Sequence, residues 1–399
     1  WVNILGNFQT IEEVIRNRLI VDEGDPLNEL LFNKSMDNIK SLGIFKKVKS
    51  NIKDGSDPNL KIIDVIVEEK PTGEISLAAG VGTGGTTIGG GIVEKNFLGK
   101  GINLKTNLEI SEETIKGQFV YSKPNFNYTD RALNTSLESS TTDKLTTSGY
   151  KISKTGFEIG TGFEFLENTS YSPMFSSYVE KLEVNSLASS QLTKQEGNSF
   201  DNKYHHSISY DTRDQKYQAT EGYYSRFLQS IPLLTEDSGL LNGYDFTKYY
   251  KFSNEMLTNI SFYSRMIQSL DNSDIRLSNR VGIPQRRLKG FESRKIGPKD
   301  GNSFIGGNYS AAVNFNTTLP FLFESIDNAD VAYFIDAGNV WGVDYSDSID
   351  ESNKIRSATG IAVNWYTPVG PLTFSLAQPI TKADTDVTES FRFNIGTTF

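Results

Sequence analysis

The chain has 399 residues, of which 37% are hydrophobic, and its formal net charge is −9 at pH 7. This acidic balance argues against a nucleic-acid partner, and the absence of Cys excludes disulfides and thiolate metal sites. The sequence contains no long apolar run, so it predicts no membrane-spanning helix. Because the chain begins at Trp1, without Met or a signal peptide, we expect it to be a piece of a longer protein.

Residues 1–72 carry helical periodicity and predict a small α+β domain. Thr10, followed three residues later by Glu13, has the capping-box pattern that predicts the start of a helix. Gly43 is expected to cap the end of a second helix. The predicted elements are a strand at 2–4, a helix from 11, a helix over 27–42, and strands at 48–52 and 60–67. The order β-α-α-β-β suits a domain large enough to fold alone.

From residue 73 to 399 the helical period disappears, and short segments alternate between polar and apolar side chains. Successive side chains of a strand point to opposite faces, so each segment predicts a strand with one apolar face. The predicted strands are 74–82, 87–95, 101–111, 116–123, 130–141, 150–163, 171–184, 204–213, 222–230, 244–252, 257–270, 308–318, 328–337, 357–366, 371–379 and 389–399. Their number is even, as bacterial outer-membrane barrels require.

The connections favour a membrane barrel over a soluble sheet. Those after odd-numbered strands include the long segments 185–203, 231–243, 271–307 and 338–356, whereas those after even-numbered strands include the short segments 124–129, 253–256 and 367–370. Long outer loops and short inner turns have this asymmetry, which a soluble sandwich has no reason to keep. The predicted fold class is mainly β: a 16-stranded antiparallel transmembrane β-barrel preceded by the small α+β domain.

In such a barrel the apolar parity of each strand faces lipid and the polar parity faces the lumen. The expected lipid-facing residues are Val331, Tyr333, Ile335, Ile361, Val363, Trp365, Leu372, Phe374 and Leu376. That parity turns Phe334 and Asp336 inward. The 271–307 connection is too long for an idle loop, and we expect it to enter the lumen and bring Lys289 to Asp336. In a wet lumen such a pair would contribute only about 0–1 kcal/mol.

Two patterns that could indicate ligand binding have simpler explanations. Gly80, Gly82 and Gly85 match a dinucleotide-binding fingerprint, but an alternating strand follows where a helix is needed. The only histidines, His205 and His206, are adjacent in a strand and point to opposite faces, so they cannot share a metal. The sequence therefore predicts no catalytic residue, no cofactor and no metal site.

Lys289-Gly290-Phe291 and residues 333–341 are two motifs that occur together in a known family. The first resembles the Arg-Gly-Phe motif of the sixth outer loop, and the second the strand-thirteen signature, of the BamA family of outer-membrane barrel assembly factors. Residues 367–372, 393–396 and 96–101 resemble the turn before its penultimate strand, its last strand and its first periplasmic turn. Residues 1–72 resemble its last POTRA domain, the one that adjoins the barrel, so 73–399 would be the barrel.

The resemblance implies a protein of the bacterial outer membrane that folds and inserts other β-barrel proteins, with its POTRA domain in the periplasm. The implied partners are nascent outer-membrane β-barrel proteins, accessory lipoproteins bound through the POTRA domain, periplasmic chaperones and the lipid bilayer. The implied loop-six site comprises Lys289, Gly290, Phe291, Asp336 and Asn314. The family has Arg and Glu where this chain has Lys289 and Asn314, so we expect a looser but still neutralised contact.

A weak seam between the first and last strands is the second expected site. The first strand is rich in small residues, and glycine removes the cross-strand packing that stabilises a sheet. The seam residues are predicted to be Ser76, Ala78, Gly80, Gly82, Phe391, Phe393, Ile395, Gly396 and Phe399.

Three alternatives remain open from the sequence. A TamA-like factor or a two-partner-secretion transporter would share the superfamily, and the number of POTRA domains would separate them. A passive porin would have an open, conducting lumen and no need of the N-terminal domain. An outer-membrane enzyme would need a catalytic site, and the sequence predicts none.

Overall fold

The computed structural model describes residues 1–21, 23–24, 26–57, 60–82, 85–129, 131–214, 219–236, 238–251, 256–301, 303–319, 329–344, 353–367 and 370–395. The chain divides into two compact units. The first comprises 1–76, 90–107 and 118–136, and the second comprises 77–89, 108–117 and 137–399. Across the described part of the chain, no helix has the length and apolarity needed to cross a bilayer.

The N-terminal part of the first unit is an α+β fold in the predicted order β-α-α-β-β. Its elements are β1 (Val2–Leu5), α1 (Glu12–Arg16), α2 (Glu29–Ser41), β2 (Phe45–Asp54) and β3 (Lys61–Glu69). The sheet order is β1-β3-β2, with β1 parallel and β2 antiparallel to the central strand. Its core centres on Ile15, Ile39 and Val65, which are fully buried between the helices and the sheet.

The two helices differ in how their first turns are capped. Asn28 caps α2 because its side chain accepts hydrogen bonds from the amides of Leu30 and Leu31, and Gly43 follows that helix with a φ of +68°. The capping box predicted at Thr10 is wrong, because α1 begins after Ile11 without a side-chain cap. Thr10 is buried, and its hydroxyl accepts a hydrogen bond from the Asn96 amide at 2.9 Å. This long-range contact takes the hydroxyl that the local cap would have used.

Sixteen strands form one closed barrel, and this confirms the predicted fold class. They are β4 (Gly73–Gly82), β5 (Gly85–Phe97), β6 (Ile102–Ser111), β7 (Thr114–Lys123), β8 (Ala132–Lys144), β9 (Tyr150–Leu166), β10 (Thr169–Val184), β11 (Gly197–Asp211), β12 (Gly222–Pro232), β13 (Gly239–Lys251), β14 (Leu257–Ser269), β17 (Tyr309–Thr318), β18 (Ala329–Trp341), β19 (Arg356–Thr367), β20 (Gly370–Thr381) and β21 (Phe391–Ile395). A short helix, α3 (Ser190–Thr193), and a two-residue ribbon of β15 (Lys299–Asp300) and β16 (Ser303–Phe304) lie in connections.

The strand faces follow the predicted parity. Ile335, Ile361 and Leu376 are exposed on the outside, whereas Phe334 and Asp336 are fully buried on the inside. Asn364 and Ser375, on the polar parity of β19 and β20, line an interior cavity. Val331 shares the outward parity but is buried, and its register partner Val363 adjoins it on the same face.

Candidate functional site: the inner loop and the seam

Residues 271–307, here called the inner loop, pack against the inside of the barrel wall. Leu288, Phe291 and Ile296 are buried in one apolar cluster with side chains from β14, β17, β18 and β19. Those wall residues are Tyr263, Ala312, Val340 and Ala358. Burial of these apolar side chains therefore holds the inner loop against the wall, as we expected of a connection too long to be an idle loop.

Lys289 and Asp336 make a two-point contact in this region. The Lys289 backbone N–H and its Nζ each donate to Asp336 Oδ2, both at 3.0 Å. The Nζ also lies 4.1 Å from the centre of the Phe334 ring, which suits a cation–π contact. The Asp336 side chain is fully buried and that of Lys289 is 20% exposed. Because the carboxylate is buried, removing its partner should cost more than the about 0–1 kcal/mol that an intact pair contributes in a wet lumen.

Asn314 bonds both Asp336 and the inner loop, so it does more than replace a charged Glu with a neutral side chain. It faces Asp336 across β17 and β18, and its Nδ2 donates to Asp336 Oδ1 at 2.8 Å. The same amide nitrogen donates to the Arg287 carbonyl of the inner loop at 2.7 Å. A neutral amide thus orients the carboxylate and holds the loop backbone at once. The sequence reasoning missed this second role.

Gly290 is required by geometry. Its φ is +89°, and a Cβ there would lie 2.9 Å from the Ala358 Cβ and 3.3 Å from the Ala377 Cβ. Both a left-handed backbone and close approach to the wall therefore select glycine. Phe291, the next residue, is 2% exposed in the apolar cluster and forms an antiparallel bridge with Thr388.

The bridge to Thr388 belongs to a contact that sequence reasoning did not anticipate. Residues 382–390, here called the last outer loop, connect β20 to β21. Its backbone joins the inner loop through Glu292 N–H to the Val387 carbonyl, Val387 N–H to the Lys295 carbonyl, and Glu389 N–H to the Gly290 carbonyl, each at 3.0 Å. The tip of the inner loop is therefore attached both to the wall and to the connection before the last strand.

A second ion pair was also missed. Arg356, at the start of β19, and Asp386, in the last outer loop, are both fully buried. The guanidinium grips the carboxylate at two points, with Nε to Oδ2 and Nη2 to Oδ1 both at 2.9 Å. Its Nη1 donates to the Lys354 carbonyl and to Asn339. The available signal was the inward parity of Arg356, shared with Ala358, because a charge facing the barrel interior needs a partner.

The first and last strands are neighbours in the closed barrel. Within the described residues, β21 pairs with β4 at Asn394↔Gly82 and Ile395↔Val81, whereas it pairs with β20 at five positions. Phe391 and Phe393 stack with ring centroids 6.0 Å apart. Ser76 donates to the Gly91 carbonyl at 3.4 Å. Ala78 and Gly80 are placed by the β4 backbone, and Gly396 and Phe399 lie outside the described residues.

A cavity of about 810 Å³ borders the inner loop inside the barrel. Its lining includes Arg286, Lys289 and Arg392 together with Asp330 and Glu389. Glu389 accepts from Arg392 Nε at 2.8 Å and from Gln285 Nε2 at 3.0 Å, so these two charges of the lining are paired with each other. In the described ranges, no cluster of three or more His, Cys, Asp and Glu side chains is arranged to hold a metal ion.

A closed sixteen-stranded barrel with an apolar exterior, an internal loop and an attached α+β domain defines an integral outer-membrane barrel protein with a periplasmic domain. Comparison with known families agrees: the Omp85 superfamily domain matches residues 96–399, and the POTRA family, described as a surface antigen variable number repeat, matches residues 1–70. The chain belongs to the Omp85 superfamily.

Similar proteins are outer-membrane assembly factors. The outer membrane protein assembly factor BamA of Neisseria meningitidis is 24% identical over all of this chain and 56% of its own length. The BamA of Neorickettsia risticii is 22% identical over all of this chain and 54% of its own length. This chain therefore spans about half the length of the curated relatives it matches.

Solved structures show the same fold. The crystal structure of BamA from Haemophilus ducreyi lacking POTRA domains 1–3 has a TM-score of 0.82 at 22% identity, covering 100% of this chain and 84% of that one. CdiB from Acinetobacter baumannii has a TM-score of 0.59 at 12% identity, covering 99% of this chain and 74% of that one. The protein is located in the bacterial outer membrane, with its POTRA domain in the periplasm.

Proposed function

We propose that this protein folds and inserts other β-barrel proteins into the outer membrane through the seam between β4 and β21. The observation that carries the proposal is that β21 pairs with β4 to close the ring, which makes the seam the joint between the first and last strands of the barrel. The neighbouring joint, between β20 and β21, has five registered pairs, and each of its strands continues into a connection of the chain. The seam can therefore part without unfolding a hairpin, since the first and last strands of the barrel are not joined by a connection of the chain.

Opening the seam would give a client strand a hydrogen-bonding edge within the bilayer. Backbone groups in lipid must be hydrogen bonded, so a growing sheet cannot leave an edge free. A parted seam offers a ready edge with which a client strand can pair. This exchange of hydrogen bonds consumes no ATP and forms no covalent bond, so we propose a folding factor without catalytic residues.

Two further assignments belong to this proposal. The residues Lys289, Gly290, Phe291, Asp336 and Asn314 would keep the inner loop seated while the seam moves. The POTRA domain, assigned to 1–72 with the barrel at 73–399, would receive clients, accessory lipoproteins or chaperones by strand addition along β2. That strand lies at one edge of the three-stranded sheet, which supports this mode of binding.

A disulfide across the seam tests the proposal. The chain has no native Cys, so Val81→Cys with Ile395→Cys introduces a single facing pair. We expect oxidation to stop insertion of a β-barrel client into vesicles and reduction to restore it. Ala362→Cys with Ser375→Cys, which face each other across β19 and β20, is the matched control. If the locked seam inserts clients at the normal rate, the seam is not the route.

Export of a soluble polypeptide, as in two-partner secretion, is the second candidate. It stays a candidate because the sequence leaves it open within the superfamily, and the Omp85 match does not separate the two functions. Vesicles that contain the protein separate the two functions. Barrel assembly inserts a client into the bilayer, whereas secretion moves a protease-sensitive polypeptide across it.

A further inference from the structure

We propose that the Arg356–Asp386 pair is a positioning device that fastens the last outer loop to the barrel wall, so that β21 and the inner loop move as one body. The inference rests on the proposed function, because it says how the seam strand is held while the seam opens. It concerns residues outside both sites predicted from the sequence.

The first support is the completeness of the pair. The two side chains are fully buried, and the guanidinium and carboxylate meet at two points. Asp386 Oδ2 also accepts the Ala383 N–H at 2.6 Å, which closes the loop around the carboxylate. Two-point contact of this kind fixes orientation as well as distance. The last outer loop is therefore held in one conformation relative to β19.

The second support is what the fixed loop touches on its other side. Val387 and Glu389 make the three backbone hydrogen bonds to the inner loop described above, around the bridge of Phe291 with Thr388. Glu389 also accepts from Gln285 of the inner loop and from Arg392 of β21. One short segment thus joins the wall, the inner loop and the seam strand.

The third support is that the Arg356–Asp386 pair is not needed to hold the β19–β20 hairpin together. Strands β19 and β20 already share eleven registered pairs, so an ion pair between the start of β19 and the last outer loop adds little to that ladder. Asp386 lies five positions before Phe391, where β21 begins. What the pair adds is a fixed outer end for β21, the strand that closes the ring against β4.

The test uses Asp386→Asn in the whole purified protein. We expect hydrogen exchange at the amides of Glu292, Val387 and Glu389 to accelerate at least tenfold, and client insertion to fall at least threefold. Arg356→Lys is the milder variant, since it keeps the charge but loses the two-point contact. It should give intermediate values for both measurements and covers the case in which Asp386→Asn fails to fold.

A covalent tie distinguishes positioning from general stability. The bridge of Phe291 with Thr388 places Glu292 opposite Val387, so Glu292→Cys with Val387→Cys should restore insertion to Asp386→Asn when oxidised and lose it when reduced. Lys181→Cys with Asn198→Cys, facing across β10 and β11, is the control tie. Rescue by the first tie alone supports the proposal, and equal rescue by both overturns it.

Two other outcomes are decisive. Wild-type exchange and insertion in Asp386→Asn would overturn the proposal. If the native protein inserts no client while Asp386→Asn still accelerates exchange, the proposed function fails and the mechanical coupling stands. The exchange measurement needs no client, so the two failures can be told apart.

Discussion

Asp336 organises the inner-loop contact because its two oxygens serve different partners. Oδ2 accepts from the backbone and side chain of Lys289, and Oδ1 accepts from Asn314. Lys289 in turn lies over the Phe334 ring, so its charge is balanced by a carboxylate and an aromatic face. Removal of the Asp336 carboxylate therefore disturbs several groups at once.

Removal of the carboxylate should weaken the seating of the inner loop. We expect Asp336→Ala to lower the heat resistance of the folded barrel on gels, since it strands the Lys289 ammonium and the Asn314 amide. The loss should be near the lower end of the roughly 3–5 kcal/mol seen for broken buried pairs, because Lys289 is partly exposed.

Lys289→Arg is the matched control, since it keeps the charge and can still reach the carboxylate. We expect it to leave heat resistance close to that of the native protein. A native-like Asp336→Ala would show that the apolar cluster alone seats the loop.

At the scale of single elements, the start of α1 depends on a carboxylate at the end of β3. Glu69 accepts hydrogen bonds from the amides of Phe8, Gln9 and Thr10. Burial raises the pKa of Glu69, but these amides and the Thr10 hydroxyl outweigh it, so the net pKa lies below the usual value. The folded domain therefore favours the ionised form.

This lowered pKa predicts acid sensitivity of the POTRA domain. The stabilisation from Glu69 is fully present above its unfolded pKa of about 4.3, and it is lost as pH falls through the lower folded value. Urea unfolding of the domain in the whole chain, followed by Trp1 fluorescence after Trp341→Phe and Trp365→Phe, should show this loss. Glu69→Gln should be less stable at neutral pH, and its stability should change less with pH below pH 4.5. If the acid sensitivity of the variant equals that of the native protein, Glu69 is not its cause.

The strand faces give a prediction for β19 and β20. Arg placed at Ile361 or Leu376 should destabilise the barrel by about 2–4 kcal/mol in lipid if the position is near the midplane. Arg at Asn364 or Ser375 should cost much less, because those side chains line the interior cavity. Urea titration of refolding into vesicles measures both, and equal costs would contradict the assigned faces.

Local pattern explains which of these features the sequence could predict. Alternation along a strand is a local property, so the sixteen strands, the inward direction of Asp336 and the outward direction of Ile361 follow from parity. The cap at Thr10 failed because Asn96, far along the chain, takes its hydroxyl. The Arg356–Asp386 pair joins the start of β19 to the last outer loop, whose conformation no periodicity specifies, so the partner of Arg356 became evident only in the fold.

For the molecule as a whole, the inner loop predicts how the barrel conducts ions. Its apolar cluster and polar network occupy part of the lumen that an open porin would leave free. We expect single-channel recordings of the native protein to show low and irregular conductance. Asp336→Ala should raise it by unseating the loop, whereas Lys289→Arg should not; a steady, porin-like conductance in the native protein would favour the porin alternative.

The bonds between the inner loop and the last outer loop also constrain how this protein is itself made. Residues 271–307 are synthesised before 382–390, yet the two segments are joined by backbone hydrogen bonds inside a ring that β21 completes. The three bonds cannot form until 382–390 has been made, so the contacts of the inner loop become complete only with the last hairpin of the ring. We therefore expect seating of the inner loop to be among the last steps in the protein's own folding.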